Sequence, residues 1–243
     1  WQEQGTGVIA SRQSSGDLEF TQWAFMPMGY EGFGVAQVTR ARNTSNSART
    51  SAFQLASLHN WQPGGSETLA TYDPEHVVEY GGDIALWYYA PGATENTCEA
   101  VYDTVIGGRR LAGDCADYTS DGVVAFGWDA PSLGPGEEAW VGVFVATTPT
   151  PDWELLDYDA RDWLLAELRG WSEFQGQAVI PAGLSPDEEE VFRQQLAFLK
   201  MSQVREPGSA FGQIPASYPV AAPQEEFPHT WNITWVRDSA YSI

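Results

Sequence analysis

The chain has 243 residues, of which 43% are hydrophobic, and its 11 Trp, 10 Tyr and 11 Phe are typical of a folded globular protein. Its net charge of −21 repels phosphate backbones and anionic lipids, so we expect neither nucleic acid nor membranes as partners. No apolar run approaches the roughly 18 residues of a membrane span.

Up to about residue 148 the sequence predicts many short strands separated by Gly, Pro, Asn and Asp. Several segments alternate apolar with polar residues, and Phe53, Leu55 and Ser57 fall on one face of such a strand. The predicted strands are Phe20–Met26, Gly34–Arg42, Ser51–Leu58, His76–Tyr80, Ile84–Tyr89, Gly122–Trp128 and Trp140–Thr147. This density of strands and turns is typical of a β-sandwich or a related two-sheet architecture.

Two cysteines, Cys98 and Cys115, bracket a strand-like apolar stretch, Ala100–Ile106, and the turn Gly107–Gly108. The spacing fits a hairpin closed by a disulfide, and two buried free thiols are the alternative. A disulfide would suit an exported protein, secreted or periplasmic. The start at Trp1 rather than Met agrees with removal of an export signal, or with another form of trimming.

Metal-binding signals are weak. Asp114, Asp117 and Asp121 cluster near a loop and can offer oxygen ligands to a structural calcium ion, with a solvated acidic loop as the alternative. We expect no other cofactor. The histidines show no ligand spacing relative to the cysteines or to one another, and we expect structural roles for all three: His59, His76 and His229.

The pattern becomes helical after residue 150. Asp157–Trp171 forms one predicted helix, and a second begins with Ser185 as its N-cap, Pro186 in the first helical position and Glu188 completing a capping box. The apolar stripe of the second helix comprises Phe192, Leu196 and Leu199, widened by Val191 and Phe198. Glu206-Pro207-Gly208 predicts its end. We assign structural roles to the first-turn acids Glu188, Glu189 and Glu190.

Strands followed by helices indicate separate units in series. We predict a β-sandwich domain over residues 1–150 and a linker with a helix over 151–183. Residues 184–243 then form a third unit, which begins at the N-cap of the second helix. The chain is thus expected to be mainly β.

The residues nearest the C-terminus form a candidate sugar-binding corner. Arg237 offers a planar fork of donors beside the acceptor-only carboxylate of Asp238, and together they can hold adjacent hydroxyls of a sugar. Trp231 and Trp235 can supply flat faces for a sugar ring. Equally, the pair can be structural at a helix start, with both tryptophans in a core. Residue types alone leave both interpretations open.

A resemblance favours the first interpretation. Residues 190–243 resemble glycoside hydrolase family fifteen, the glucoamylases and glucodextranases. The residues that match the loop motif of that family are Gly212, Ile214, Ala216 and Ser217, and those that match its second motif are Trp235, Arg237 and Asp238. The resemblance implies that the Arg–Asp pair binds the non-reducing-end sugar, with the tryptophan of the motif lining the same subsite. Trp231 stands where the family usually has Tyr, which leaves the substrate preference open.

The resemblance also implies the wider architecture and chemistry. A β-super-sandwich precedes an (α/α)6 catalytic barrel, of which residues 184–243 would be an incomplete start. The family consists of inverting exo-acting enzymes, in which one carboxylic acid protonates the leaving oxygen and a second carboxylate activates water, about 6.5–9.5 Å apart. Both are glutamates in later barrel segments, so this chain would hold no catalytic residue and would be inactive alone.

We therefore expect an α-glucan or α-glucoside substrate, and a C-terminal chain of the same precursor, cut after Ile243, that carries the rest of the barrel. Three alternatives stay open: a non-catalytic carbohydrate-binding or structural sandwich module, a related sandwich-plus-barrel glycoside phosphorylase, and a similar scaffold diverted to other hydrolytic chemistry.

Overall fold

The structure, a computed structural model, describes residues 1–30, 33–49, 53–61, 67–82, 84–98, 101–111, 118–120, 123–130, 132–147, 159–204 and 212–214. Of these residues 43% are in strands and 22% in helices, so the protein is mainly β, as predicted. The strands are β1 Ile9–Ser15, β2 Leu18–Phe25, β3 Gly34–Asn43, β4 Phe53–Asn60, β5 Glu67–Asp73, β6 His76–Gly81, β7 Ile84–Tyr89, β8 Glu95–Thr97, β9 Tyr118–Ser120, β10 Val123–Ala130 and β11 Glu138–Ala146. The helices are α1 Val101–Ile106, α2 Ala160–Gly176 and α3 Pro186–Met201.

The described strands form two antiparallel sheets in a sandwich-like arrangement. The larger sheet has eight strands in the order β1-β2-β3-β11-β7-β6-β5-β9, and the smaller has three in the order β4-β10-β8. All seven strands predicted from alternation are present, with small differences at their ends. Because a strand alternates its side chains between two faces, the apolar half of a pattern identifies a face that is buried.

The chain divides into two compact units. Trp1 and Val8–Arg169 form the first, and Gln2–Gly7 with the chain from Gly170 onward forms the second, so the division falls within α2. The last described strand, β11, ends at Ala146, close to the predicted end of the sandwich. The predicted boundaries at 150 and 183 stay predictions.

The core of the first unit lies between the two sheets. Val143 of the large sheet and Phe126 of the small sheet are almost completely buried in one cluster, together with Tyr88. On the opposite face of the large sheet, the ring of Trp163 in α2 lies 6.4 Å from that of Phe144. Gly142 permits this packing, because a Cβ there would lie 2.8 Å from the side chain of Ala160.

The second unit pairs the end of α2 with α3. The side-chain amide of Gln175 donates to the carbonyl of Arg193 at 3.0 Å and to that of Gly5 at 2.9 Å. In return, the Gly5 amide donates to Gln194 Oε1 at 3.1 Å. The N-terminal segment is therefore hydrogen-bonded to both helices.

The start of α3 is as predicted. The Ser185 hydroxyl accepts from the Glu188 amide, while the Glu188 carboxylate accepts from the Ser185 amide at 2.8 Å. These bonds from the backbone and side chain of Ser185 lower the pKa of Glu188. The acid at this position thus has the structural role assigned to it from the sequence.

The prediction of a strand over Ala100–Ile106 was wrong, because Val101–Ile106 is helix α1. The glycine pair that suggested a hairpin turn instead ends this helix. Gly108 has φ +63°, and the Gly107 amide donates to the Asp103 carbonyl at 3.2 Å. Val105 packs against a buried cluster on the small sheet, and this tertiary contact decides the conformation of a short apolar run that periodicity leaves ambiguous.

Among the described residues, no helix combines the length and the apolar character that crossing a bilayer requires.

Candidate functional site

The predicted sugar-binding corner lies outside the described residues. This applies to all four of its members: Trp231, Trp235, Arg237 and Asp238. The sugar-binding corner therefore stays a prediction from the sequence.

The structure describes one of the two cysteines of the predicted disulfide. Cys98 is 3% exposed, belongs to the core cluster between the sheets, and is disulfide-bonded. Cys115 lies outside the described residues, so the pairing of Cys98 with Cys115 stays a prediction.

The structure tests the metal hypothesis only in part. The three acids of the predicted calcium loop, Asp114, Asp117 and Asp121, lie outside the described residues, as does His229. Within the described ranges, no group of three or more His, Cys, Asp or Glu side chains could hold a metal ion. His76 contacts Asp73 at 2.7 Å and stacks on Tyr89, and it joins no such group.

The first unit contains a groove of about 910 Å³ beside the small sheet. Among the described strands, the small sheet has three and the large sheet has eight, and the groove lies where the inner face of the large sheet extends past β4. Strands β1, β2 and β3 supply its floor, β4 supplies one wall, and Val105 and Gly108 at the end of α1 contribute to the lining. We call this feature the inter-sheet groove. Its volume lies near the upper end of the roughly 300–1,000 Å³ found for ligand sites.

The floor of the inter-sheet groove is polar. Ser11 pairs in register with Gln22, which pairs with Thr39, so these three side chains form a row across β1, β2 and β3. The Gln22 amide donates to Thr39 Oγ1 at 3.4 Å within that row. On the next strand the row meets Val141, where the apolar core begins. Along this row the inner face changes from core to polar surface between β11 and β3, whereas in a neighbouring row Ala41 of β3 still belongs to the core cluster and Phe20 of β2 packs against it.

The wall of the groove combines apolar and cationic groups. Phe53, Leu55 and Ser57 lie on one face of β4, as predicted, and all three line the groove. The guanidinium of Arg49 lies 4.9 Å from the centre of the Phe53 ring. Its Nε is buried and has no hydrogen-bond partner among the described residues. No carboxylate is among the described residues that line the groove, although the chain carries 33 acidic residues.

Behind the wall lies a buried polar cluster. Ser57 Oγ and His59 Nε2 are 2.9 Å apart, and the His59 ring meets the rings of Tyr88 and Phe126 edge-on. The Tyr88 hydroxyl donates to the buried carboxylate of Glu79. Burial lowers the pKa of His59 to about 4, because desolvation disfavours the imidazolium. At neutral pH, a neutral imidazole therefore holds the Ser57 hydroxyl at the edge of the groove.

Sequence reasoning missed the groove. Its signal was present in alternating polar positions, such as Gln37 and Thr39 of β3, but such positions ordinarily indicate a solvent-facing side of a sheet.

No protein-family model and no curated protein matches this sequence.

Proposed function

We propose that the chain is the N-terminal part of a secreted or periplasmic, inverting, exo-acting glycoside hydrolase that cleaves α-glucosidic bonds. The proposal is supported by the resemblance of residues 190–243 to glycoside hydrolase family fifteen and by the order of the architecture. An antiparallel sandwich precedes the helices, as in the bacterial and archaeal members that this part of the chain resembles.

The observation that carries the proposal is the incomplete burial of α3. Ala197 is its one fully buried residue, although the helix presents a broad apolar stripe. Val191 is 60% exposed and Phe198 is 53% exposed, and a separation of seven residues places them on the same helical face. An apolar face of this kind is stabilised when it is covered by other helices, as it would be in a helical barrel.

In this proposal the C-terminal corner forms the terminal sugar subsite. Arg237 and Asp238 hold the hydroxyls of the non-reducing-end sugar, and Trp231 and Trp235 supply the faces on which the ring packs. The acid and base are glutamates of later barrel segments, contributed by the C-terminal part of the precursor or by a separate chain derived from it. No cofactor takes part.

The disulfide of Cys98 supports export, because disulfides persist mainly in oxidising compartments. A buried disulfide in a protein that acts on external glucans would be formed before or during its release.

The test is turnover by the protein that includes this chain and its C-terminal part, with maltohexaose as substrate. Release of glucose in the β-anomeric form, followed by proton NMR within the first minutes, is the expected result for inversion. Arg237→Lys should lower kcat/KM by about 10- to 150-fold, because charge-assisted hydrogen bonds contribute about 1.5–3 kcal/mol. Arg169→Lys, at an exposed position of α2, is the matched control and should leave turnover unchanged.

The same assay distinguishes the other functions. Turnover that requires inorganic phosphate and yields a sugar phosphate would identify a phosphorylase. Saturable binding without turnover would identify a non-catalytic module. Equal effects of Arg237→Lys and Arg169→Lys would remove Arg237 from the sugar subsite.

A further inference from the structure

We propose that the inter-sheet groove is a binding site of its own for an extended, neutral oligosaccharide. The site lies entirely within the first unit, and it does not depend on the hydrolase proposed above. Its ligand would be a segment of a neutral saccharide chain held along β2 and β3.

The polarity of the floor distinguishes the groove from an imperfectly packed core. In the covered part of the sheet the inner face carries valines, such as Val141 and Val143 of β11. In the groove the positions paired with them carry Thr39 and Gln37. If this part of the sheet were only a poorly covered region of the core, the same positions would carry apolar residues, because buried polar groups cost free energy unless they are hydrogen-bonded. The change to amides and hydroxyls indicates a face that is built for a polar occupant.

The floor has hydrogen-bonding capacity that the described part of the protein does not use. The side-chain amides of Gln13 and Gln37 make no hydrogen bond to any described residue, and each offers two donors and one acceptor oxygen. Adjacent sugar hydroxyls both donate and accept. Gln13 and Gln37 lie on either side of the row Ser11–Gln22–Thr39, and this patch of amides and hydroxyls matches a chain of hydroxyls better than it matches an apolar surface.

Aromatic and cationic groups complete the site. Phe20 stands next to Gln13 in the strand register and lines the groove, opposite the wall that contains Phe53. Ligand sites commonly combine such apolar surfaces with a few placed polar groups. Arg49, stacked on Phe53 with its Nε unpartnered among the described residues, supplies a further donor. Arg12 and Arg49 are the charged residues among the described lining of the groove, but the charge of −21 over the whole chain opposes a long polyanion, so a neutral saccharide is the occupant that we propose.

A competing occupant is a β-strand from another protein or from a second copy of this chain. Within the described residues β4 is one of the two outer strands of the small sheet, and an open strand edge can pair with an added strand. An added strand would lay alternate side chains on the floor, where Gln22, Gln37 and Thr39 present amides and hydroxyls and the apolar surface is limited to residues such as Leu18 and Phe20. The polar floor therefore favours the saccharide.

The experiment is isothermal titration of the 243-residue chain with maltohexaose, isomaltohexaose and cellohexaose, each up to about 10 mM. We expect at least one of them to bind saturably, at a site that is retained in Arg237→Ala. Gln37→Ala should weaken that binding by about 2- to 12-fold, the effect of one neutral hydrogen bond of about 0.5–1.5 kcal/mol. Gln177→Ala, an exposed glutamine that does not line the groove, is the matched control and should bind like the parent chain.

Two further variants keep the test decisive. Thr39→Val preserves shape while removing a hydroxyl, so it should weaken binding even if Gln37→Ala folds poorly, and thermal melts monitor folding. Arg237→Ala separates the groove from the C-terminal corner: binding that Arg237→Ala retains and Gln37→Ala weakens belongs to the groove, whereas binding that Arg237→Ala abolishes and Gln37→Ala retains would overturn the proposal. Failure of all three hexasaccharides to bind would also overturn it. So would a doubled mass in light scattering that the sugars do not alter, since it would indicate strand pairing between copies.

Discussion

His59 makes the stability of the sandwich sensitive to mild acid. Its ring is 3% exposed, and burial lowers its pKa to about 4 from an ordinary value of 6.5. The unfolded chain therefore binds a proton at a pH where the folded chain does not. The stability that this residue contributes is complete above pH 6.5 and is lost progressively as the pH falls toward 4.

The magnitude follows from the two pKa values. A difference of 2.5 units corresponds to a maximum loss of about 3 kcal/mol, and linkage gives about 2 kcal/mol between pH 7.5 and pH 5. Urea unfolding followed by tryptophan fluorescence measures this loss. With a denaturant slope of about 1–3 kcal/mol per molar, His59 would account for a decrease of about 0.7–2 M in the midpoint.

Carboxylates also titrate between pH 7.5 and pH 5, so variants are needed to separate the contribution of the His59 imidazole from theirs. His59→Gln should remove about 2 kcal/mol of the pH-dependent loss, whatever its stability at pH 7.5. Ser57→Ala should retain the full loss, because the shift is caused by burial of the ring rather than by the 2.9 Å contact with Ser57. If the parent chain and His59→Gln lost equal stability between pH 7.5 and 5, a neutral buried imidazole would be refuted.

Three further predictions concern the stability of the two units. Ser185→Ala should lower the stability of α3 by about 1 kcal/mol through loss of the N-cap, measured by hydrogen exchange, whereas Ser172→Ala at an exposed helical position should not lower it. Gly142→Ala should lower the free energy of unfolding by about 1–3 kcal/mol, because the new methyl would lie 2.8 Å from a side chain of α2. Gly29→Ala, where a methyl meets nothing within 4 Å, is its control, and equal effects would contradict the packing argument. Cys98→Ala should lower the free energy of unfolding by about 2–4 kcal/mol through loss of the disulfide. A thermal melt that this variant does not change would show that the disulfide contributes no stability.

The strands that alternation predicted are those with one buried apolar face, whether that face lies between the sheets or, as in β3, on the opposite side of the large sheet. In β3 the even-numbered positions Ala36 and Val38 are buried while Val35 and Gln37 are only partly covered, and the sequence pattern shows this directly. Strand β1 escaped prediction because Ser11–Ser15 contains no apolar residue. It forms through its antiparallel pairing with β2, which is a long-range contact that no local pattern reports.

Helix α1 is a second segment whose conformation depends on a tertiary contact that local sequence patterns do not report. The run Val101–Ile106 is rich in β-branched residues and is followed by two glycines, a combination that favours a hairpin by local rules. The glycines end a helix instead, and packing of Val105 on the small sheet selects it. By contrast, the start of α3 was predictable, because a capping box is a purely local arrangement of Ser185 and Glu188.

The inter-sheet groove could not be predicted for a related reason. Alternation in β2 and β3 establishes that Gln22, Gln37 and Thr39 do not lie in an apolar core, but it is silent on what they face. Whether they face open solvent or a groove depends on how far the opposite sheet extends. That extent is set by pairings between residues far apart in the chain, such as Ser57 with Phe126, and in the described residues it stops at β4. A mismatch between eight strands and three thus converts an ordinary polar strand face into a candidate binding site.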